Sequence, residues 1–531
     1  MTRFNVMGSL RTSVICVLFF SSVVYTLSSG VQKPGLVQSS LAKERQNEVK
    51  KVFASAYADY MKFGFPFDEV RPVAKRGQNT RNGWSATLVD SLDTLFIMGL
   101  KNEFDQGVSH TLNIDFSKSQ TNDSVSLFET TIRYLGGMLS AYELSGSKNT
   151  ALLKQARTLG DKLLTAWPDP RQNLPFPQLD FGRNRPVFKK KISSAEILIA
   201  EAGTLILELG RLSHHTQDPK YLRQAVKAMQ AIMNSRSTFP GLAGFSLAVQ
   251  SQAVKNDFAT WGGGADSYYE YLLKYGILID NQDESYLNAW KLAVKSSKQH
   301  LIQVSPVRNL TYLASFSSEK GGIRYEFSHL GCFAGGNWLL GGKVLDDPST
   351  FQYGLRLVET CMETYKRTAT GLGPETFKFL GPHGEMPLTK KPRSAELEFF
   401  DKNGFYIGIE SYDLRPEVVE SAFYAWRLTG DTRYQDFVWE AFKSLQKHCK
   451  APASFAAISD VNSLPAKLID DSESFLYAEL FKYIYLTFSD PNLLSLDEYV
   501  FSAYLNPDIM TACFDLATEA HPLRITKEAI V

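Results

Sequence analysis

The stretch AEILIAEAGTLILEL, residues 195–209, indicates the fold of the chain more clearly than any other. Almost every side chain in it is small or apolar, so a helix formed by these residues would be apolar around most of its surface. Such a helix has to be buried on several sides. A polar turn follows at residues 218–222 (DPKYL), where we expect a second, amphipathic helix to begin.

The polar turn with its aromatic residue recurs along the chain. Similar turns occur at residues 283–287, 347–351 and 431–434, and their aromatic residues, beginning with Tyr221, are separated by 65, 65 and 83 residues. Self-similarity at this period predicts stacked αα-hairpins, and about 490 residues would hold about seven of them. An open solenoid and a closed toroid both fit the repeat. The apolar first helices favour an inner ring wrapped by an outer ring, and therefore an all-α toroid with minor β segments in its loops.

The composition excludes several classes of protein. The chain has 531 residues, of which 57 are basic and 56 acidic, and this balance excludes strong overall attraction to nucleic acid or an anionic membrane. A hydrophobic content of 44% excludes wholesale disorder. The sequence contains no GxSxG elbow, P-loop, HExxH motif or dinucleotide fingerprint, and no CxxC pair that would suggest structural zinc.

The amino terminus predicts entry into the secretory pathway. Arg3 and Arg11 precede an apolar run from Val14 to Leu27, which is shorter than the ~20 residues of a comfortable membrane-spanning helix. Residues 1–30 are therefore interpreted as a signal peptide, with an uncleaved signal anchor as the alternative. Either one places the rest of the chain in the secretory lumen, and the protein would be secreted or reside in the Golgi. Residues 31–45 would be a linker, and residues 46–531 a single catalytic domain.

Two further features agree with this compartment. Asn122 and Asn309 each begin an N-x-Ser/Thr tripeptide and are candidate glycosylation sites. Four cysteines remain once Cys16 is assigned to the signal, and their spacing alone allows three complete pairings.

Carboxylates recur directly after helix-breaking residues, at points where apolar helices are expected to begin. These acids are Glu129, Asp266, Glu375, Glu417 and Glu473, with Glu479 further along the last helix. Each could simply cap its helix, a role worth about 0.3–1 kcal/mol. In a toroid, however, the inner helices start at one end, so these acids would converge in a funnel. Trp261, Phe327, Phe475 and Tyr477 are expected to line it.

Converging acids repel one another unless a cation, a bound polyol or raised pKa values relieve the charge. Such a site suits general acid–base chemistry, most naturally on a sugar. Histidines contribute less to this prediction, because His329 and His521 have no partner that the sequence reveals. Each is more simply interpreted as a hydrogen-bonded structural residue.

Six segments in order resemble the class I α-1,2-mannosidases of glycoside hydrolase family 47, over residues 45–525. Their sequences are NGWSATLVDSLDTL (82–95), SLFETTIR (126–133), ADSYYEYL (265–272), LRPE (414–417), ESF with AE (473–475 and 478–479) and TEAHPL (518–523). Within the family, the segments most resemble those of secreted or Golgi-type fungal members. The resemblance implies an (α/α)7 barrel, which agrees with the hairpin count.

The resemblance also implies the reaction, which is inverting, calcium-dependent removal of terminal α-1,2-linked mannose from high-mannose N-glycans. Glu129 or Asp266 would be the general acid and Glu417 the general base. The two groups that act in inversion should lie about 6.5–9.5 Å apart. Further positions match residues that contact sugar or water in the family. They are Arg133, Glu375, Arg415, Phe475, Glu479 and Glu519.

By the same resemblance, Thr518 would bind Ca²⁺ through its hydroxyl and carbonyl oxygens, with nearby carboxylates acting through water. Cys332 and Cys361 would form a disulfide, whereas Cys449 and Cys513 are given no partner. Family members restricted to one mannose linkage carry Arg at the position of Gly264. Its absence predicts open space beside Asp266 and trimming of several mannoses, from Man9 towards Man5.

Two alternatives remain at this level. A mannose-binding quality-control receptor on the same fold would bind high-mannose glycans with weak or absent catalysis, and an α/α-toroid hydrolase could act on a cell-wall polymer. The glycosidase is favoured over the receptor because the chain retains Cys332 and Cys361 and ends shortly after Thr518. A polymer hydrolase would leave the calcium segment unexplained. We expect a monomer that does not bind nucleic acid.

Overall fold

A computed structural model describes residues 30–188, 191–319, 321–386, 391–502 and 507–509. Contacts divide the chain into residues 1–30 and 31–531. Since the described residues begin at Gly30, the rest of the predicted signal, residues 1–29, lies outside them. The second unit is built from helices joined by short antiparallel strands. Among the described residues, no helix is both long and apolar enough to cross a membrane.

The α-helices follow one another through the described residues of this unit. They are α1 Ser40–Phe63, α2 Ala86–Asp90, α3 Leu92–Ile97, α4 Lys101–Thr111, α5 Leu127–Glu129, α6 Gly136–Leu144, α7 Thr150–Leu163, α8 Ile199–Gly203, α9 Ile206–Thr216, α10 Lys220–Met233, α11 Asp266–Leu278, α12 Glu284–His300, α13 Phe333–Val344, α14 Pro348–Lys366, α15 Ser394–Asn403, α16 Glu417–Thr429, α17 Arg433–His448 and α18 Phe481–Phe488. Segments of π-helix at Thr130–Leu135 and Leu476–Leu480 join α5 to α6 and lead into α18.

These helices form two concentric layers in the described part of the chain. The seven inner positions are α2–α3, α5–α6, α8–α9, α11, α13, α16 and α18, and each contacts the next around the ring. The ring closes because the π-helical segment before α18 contacts α2 and α3. An outer helix packs on each inner position, in the order α4, α7, α10, α12, α14, α17 and α1. The predicted (α/α)7 toroid is confirmed.

The two layers differ in burial as the sequence pattern requires. Nearly all of α11, α13 and α16 is buried, whereas α10, α12 and α17 bury one stripe and expose the other side. The aromatic residues after the polar turns anchor the outer helices, since Tyr221 and Tyr434 are fully buried. Asp283 and Asp347 cap α12 and α14 through backbone amides, as their positions in the turns predicted.

Short strands surround the starts of several inner helices. They are β1 Glu69–Arg71, β2 Arg76–Gln78, β3 Val125–Ser126, β4 Gln178–Asp180, β5 Arg185–Pro186, β6 Glu196–Leu198, β7 Ser246–Ala248, β8 Val254–Asn256, β9 Ile302–Val304, β10 Thr311–Leu313, β11 Ser315–Ser317, β12 Gly322–Arg324, β13 Glu326–Ser328, β14 Thr376–Lys378, β15 Tyr406–Ile409, β16 Tyr499–Phe501 and β17 Pro507–Ile509.

Pairing between these strands is antiparallel throughout. Three sheets have three strands, in the orders β3-β4-β5, β6-β7-β8 and β13-β14-β15, and four have two. In the third of these sheets Phe327 is opposite Phe377, which is opposite Ile407. Strands β3 and β6 lead directly into α5 and α8, so these sheets form a rim at the end of the ring where the inner helices begin.

One expectation about the deciding stretch was wrong in detail. Residues 195–209 are not one helix, because residues 196–198 form β6 and the helix begins only at Ile199. The chain is interrupted again at Thr204, between α8 and α9. Most of the apolar side chains are nevertheless buried as predicted, Ile197, Ile199 and Leu209 among them, whereas Leu198 is only partly buried.

The segment expected to be a linker, residues 31–45, packs on the ring. Helix α1 already begins at Ser40, and Ser39 caps it. The buried guanidinium of Arg427 donates to the side-chain oxygen of Gln32 at 2.7 Å and to the carbonyl oxygens of Pro491 and Leu494. Gln32 is therefore part of the packed unit.

Cys332 and Cys361 form a disulfide between the start of α13 and α14, which confirms that pairing. Cys449 is a buried free thiol, and Cys513 lies outside the described residues. The bridge ties an inner helix to its outer partner close to His329.

Candidate active site

The carboxylates predicted to converge stand mostly where the inner helices begin. Asp266 is the first residue of α11 and Glu417 the first residue of α16. Glu129 ends the single turn of α5, whose start is capped by Ser126. Glu375 differs from the expectation, since it precedes strand β14 and opens no helix. A breaker followed by an acid is equally compatible with entry into a strand, which the sequence pattern did not distinguish.

Glu129 is held by two arginines. Nε of Arg133 donates to its carboxylate at 2.8 Å, and Nε of Arg81 lies 3.6 Å from the same oxygen. Burial opposes ionisation, but Arg133 and Arg81 outweigh it and bring the pKa of Glu129 below its ordinary value. Glu129 is therefore a carboxylate at neutral pH.

Arg133 is 2% exposed and connects three inner positions of the ring. Its Nη1 donates to the hydroxyl of Ser474 at 2.7 Å and lies 3.4 Å from the carboxylate of Asp90. Ser474 in turn donates to Asp90 at 2.5 Å. These contacts fix the guanidinium, and through it the carboxylate of Glu129.

Glu417 is paired with His329. Nδ1 of the imidazole lies 2.7 Å from the Glu417 carboxylate, and Nε2 lies 2.8 Å from the hydroxyl of Tyr365. Since a carboxylate only accepts, Nδ1 carries the proton of this hydrogen bond. Burial raises the pKa of Glu417, but His329 and Arg415 overcome that effect, and the pKa lies below its ordinary value.

Phe475 joins the two halves of the site. Its ring lies below two guanidinium groups, with Cζ of Arg133 at 5.8 Å and Cζ of Arg415 at 5.9 Å from the ring centroid. Arg415 donates through Nε to Glu375, whose other oxygen accepts from the backbone of Asp413 at 3.2 Å. Of the residues predicted to contact sugar, Arg415 therefore lies over the ring of Phe475, and Glu375 is bonded to Arg415.

Asp266 has the opposite titration behaviour from Glu417. Burial, together with the nearby charges of Glu270 and Glu417, raises the pKa of Asp266 to about 7, although the backbone amide of Ser267 donates to it at 2.9 Å. Asp266 thus holds a proton near neutrality, whereas Glu129 and Glu417 do not. Separation of this kind is what general acid–base catalysis requires.

Negative charge in this region exceeds what the arginines compensate. Burial and the charges of Glu417, Glu420 and Asp90 raise the pKa of Glu479 well above its ordinary value. Burial and Glu473 likewise raise the pKa of Glu69 to about 8. One carboxylate oxygen of Glu69, Oε1, is buried without a hydrogen-bond partner among the described residues.

Some predicted residues lie elsewhere. Trp261 is buried against Tyr269 and donates to Ser297, and Tyr477 packs against Phe53 of α1, so neither lines the funnel. Asn122 and Asn309 are exposed, and their glycosylation stays a prediction. Thr518, Glu519 and His521 lie outside the described residues.

The space beside Gly264 is filled, contrary to the expectation. Gly264 has φ +88°, and a Cβ added there would lie 2.7 Å from Cζ of Phe245 and 3.4 Å from Leu198. No local pattern in the sequence predicts this contact, because Phe245 lies just before β7, nineteen positions before Gly264.

Several residues of the site were missed from the sequence. His329 was given the structural interpretation, and Asp90 and Arg81 were not singled out. Asp90 lies within the family-like segment 82–95 and Arg81 directly before it, so that segment was the available signal. His329 offered only its place three residues before Cys332.

Comparison with known proteins agrees with this geometry. The family model described as glycosyl hydrolase family 47 matches residues 52–525. The mannosyl-oligosaccharide alpha-1,2-mannosidase 1B of Aspergillus oryzae is 37% identical over 506 residues, 92% of this chain and 94% of the relative. The mannosyl-oligosaccharide alpha-1,2-mannosidase of Coccidioides posadasii is 39% identical over 464 residues, 84% and 86% of the two chains.

A solved structure extends the similarity to three dimensions. The alpha-1,2-mannosidase from Trichoderma reesei superposes with a TM-score of 0.84 at 32% identity, covering 90% of this chain and all of the other. Fold and site together define a glycoside hydrolase built on an α/α toroid. The chain belongs to glycosyl hydrolase family 47.

Replacement of His329 is expected to shift the acidic limb of the pH profile. In His329→Ala, Glu417 loses a hydrogen bond that favours its ionised form, so its pKa should rise. A base with a raised pKa is protonated at higher pH, and activity should therefore begin to fall at a higher pH than in the unmodified enzyme. His110→Ala, which removes a partly buried histidine on outer helix α4, is the control. Identical acidic limbs for His329→Ala and the unmodified enzyme would contradict this role.

Gly264→Arg is expected to destabilise the protein before it changes specificity. An L-residue at φ +88° is strained, and its Cβ would approach Phe245 to within 3 Å. We expect a loss of about 2 kcal/mol or more in the free energy of unfolding. Denaturant titration measures it, with Gly146→Arg as the control, where φ is +84° but nothing lies within 4 Å of the added Cβ. Equal losses in both variants would show that Phe245 gives no steric resistance.

Proposed function

We propose that this enzyme is an inverting exo-α-1,2-mannosidase that removes terminal mannoses from high-mannose N-glycans. The carrying observation is that Asp266 and Glu417 open two inner helices at one rim and have pKa values displaced in opposite directions. The names of the relatives from Aspergillus oryzae and Trichoderma reesei support the sugar and the linkage.

Asp266 is the better candidate for the proton donor. With a pKa of about 7 it retains its proton through the mildly acidic range, whereas Glu129 is ionised there. Asp266 would protonate the glycosidic oxygen as the bond to the leaving sugar breaks. Glu129 would remain an anion that holds Arg133 and Arg81 in place, so its loss should also be damaging.

Glu417 is proposed as the general base. As a carboxylate it would take a proton from the water that attacks the anomeric carbon from the opposite face of the sugar. His329 orients it through the 2.7 Å hydrogen bond and keeps it ionised. Inversion further requires about 6.5–9.5 Å between acid and base, which leaves room for that water.

Substrate would be held by the residues around Phe475. The aromatic ring offers an apolar surface to the C–H face of a pyranose, and the guanidinium groups of Arg133 and Arg415, 5.8 and 5.9 Å from the ring centroid, place hydrogen-bond donors beside it. Glu375, Glu479 and Glu519 would accept hydrogen bonds from sugar hydroxyls or from bound water. Glu375 is already bonded to Arg415. Glu519 lies outside the described residues and is assigned by resemblance alone.

Calcium is proposed as the cofactor, and the residues of the site fit it. All the acids near Phe475 offer hard oxygen ligands, their charge is incompletely compensated, and Oε1 of Glu69 is buried without a partner. Among the described residues no three His, Cys, Asp or Glu side chains form a direct metal site. The ion would therefore be held by Thr518 and by carboxylates acting through water. When bound, it would orient sugar hydroxyls and reduce the repulsion between the acids.

The biological setting follows from the substrate. High-mannose N-glycans are carried by glycoproteins in the secretory lumen, which agrees with the predicted signal over residues 1–30 and with exposed Asn122 and Asn309. A monomer in the Golgi lumen or outside the cell is the proposed form. Gly264 offers no donor side chain to a particular branch, so we propose trimming of several mannoses, from Man9 towards Man5.

Digestion of a Man9 glycan tests the function. The unmodified enzyme should remove terminal α-1,2-linked mannose as free β-mannose, the inverted anomer, read by NMR at early times, and should proceed past Man8 towards Man5. Glu417→Gln should retain its melting curve and lose at least ~10²-fold in turnover. Binding of Man9 without any cleavage by the unmodified enzyme would instead favour the quality-control receptor.

Chelation tests the cofactor. Excess chelator followed by dialysis should abolish turnover, and calcium should restore it more effectively than magnesium, whose rigid octahedral shell fits poorly around sugar oxygens. Thr518→Ala should raise the calcium concentration needed for half-maximal recovery, whereas Thr158→Ala, on the exposed side of α7, should leave it unchanged. Full activity in dialysed, chelator-treated enzyme would refute the metal.

A further inference from the structure

The ring of Phe245 lies against the loop that carries Asp266. Its Cζ and Cε2 atoms would be 2.7 and 2.9 Å from a Cβ at Gly264, two residues before Asp266. The backbone holds this arrangement at both ends. The carbonyl of Phe245 accepts from the amide of Ile199, and the carbonyl of Gly264 accepts from the adjacent amide of Ala200. Phe245 is therefore fixed at the rim of the site, where it remains partly exposed.

Phe245 is one part of a larger surface. Phe258 packs edge-to-face on it, with ring centroids 5.5 Å apart and an interplanar angle of 71°. The guanidinium of Arg324 lies over Phe258, 5.2 Å from the ring centroid, and Arg324 is paired with Glu326 at 2.6 Å. We name Phe245, Phe258 and Arg324 the rim ledge. All three side chains are only partly buried.

The rim ledge also contains a polar group without a partner. Nε of Arg324 is buried and has no hydrogen-bond partner among the described residues. An unsatisfied buried donor is costly. The Arg324 side chain as a whole is 18% exposed, so the exposed part of its guanidinium can donate to a ligand hydroxyl. Two aromatic rings beside a donor and a carboxylate have the chemistry of a carbohydrate subsite, because a pyranose offers both a C–H face and hydroxyl groups.

The position of the rim ledge selects its occupant. It adjoins Asp266, the group assigned as proton donor, and a proton donor lies next to the sugar that departs. We propose that the rim ledge binds a mannose residue of the glycan beyond the two sugars joined by the scissile linkage, on the side of the departing sugar, and that Phe245 is a specificity-determining residue. This inference rests on the proposed function. Stacking on a ring is less selective for hydroxyl orientation than hydrogen bonding is, so the ledge would accept several branches.

Two substrates of different length separate this role from a structural one. Man9GlcNAc2 is long enough to reach beyond the reacting pair of sugars, whereas α-1,2-mannobiose contains only the scissile linkage. Phe245→Leu keeps an apolar side chain against Gly264 and removes the ring. We expect it to raise KM for Man9GlcNAc2 about tenfold, with kcat unchanged. For mannobiose, kcat/KM should stay within about twofold. Phe245→Ala should behave similarly, with a lower melting temperature.

A matched control comes from the carboxyl end of inner helix α3. Phe96 is 39% exposed and packs edge-to-face on Phe104 at 5.2 Å, so Phe96→Leu removes a comparable ring from a comparable pair. It should leave both substrates unaffected. Equal effects of Phe96→Leu and Phe245→Leu on Man9GlcNAc2 would overturn the proposal. So would equal losses on both substrates in Phe245→Leu, because the ring would then support the Asp266 loop.

Calorimetric binding separates this proposal from the proposed function. In a Glu417→Gln background the glycan is bound but not cleaved, so its Kd can be measured directly. Phe245→Leu should raise the Kd for Man9GlcNAc2 by the same factor of about ten. Failure of the unmodified enzyme to cleave either substrate would refute the proposed function. An unchanged Kd in the Glu417→Gln, Phe245→Leu double variant would refute the rim ledge, whatever the turnover of the unmodified enzyme.

Discussion

Repulsion between carboxylates is the constraint on which this structure depends. The toroid places the starts of its inner helices together, and Glu129, Asp266, Glu417 and Glu479 stand at or near them. Buried like charges can persist only if they are protonated, paired or neutralised by a cation. The molecule uses the first two means within the described residues. Asp266 and Glu479 have raised pKa values, while Glu129 and Glu417 are paired with Arg133 and His329.

The same compensation continues below the rim, along the inner helices. Lys274 is 1% exposed, bonds to Glu270 at 2.5 Å and lies 3.9 Å from Glu420. Lys482, equally buried, bonds to Asp93 at 2.5 Å. Buried ion pairs of this kind seldom add net stability, since desolvation offsets their attraction. The acids of these pairs, Glu270, Glu420 and Asp93, lie about one helical turn after Asp266, Glu417 and Asp90. The pairs therefore set the charge environment of the rim.

The fold was largely predictable because it depends on local periodicity. The spacing of Tyr221 and its counterparts repeats a supersecondary unit, and the apolar stretch 195–209 distinguishes an inner helix from an outer one. The site was predictable only in part. Asp266 and Glu417 could be found because each follows a helix breaker, but the same reasoning assigned a helix to Glu375, where a strand follows. His329 and Phe245 contact residues 88 and 19 positions away, and no local pattern in the sequence predicts contacts at such separations.

The bond between Ser474 and Asp90 joins positions 384 residues apart, where the last inner helix meets the first. Arg133 is seated by these two residues, and Glu129 by Arg133, so one side of the site exists only when the ring has closed. Contacts of such sequence separation are among the last that a chain can form, because the intervening loop must first be ordered. A nascent chain therefore acquires this arrangement of Arg133 and Glu129 only after the segment that contains Ser474 has been synthesised. Closure of the ring between its last and first inner helices therefore also determines when, during synthesis, this side of the site can form.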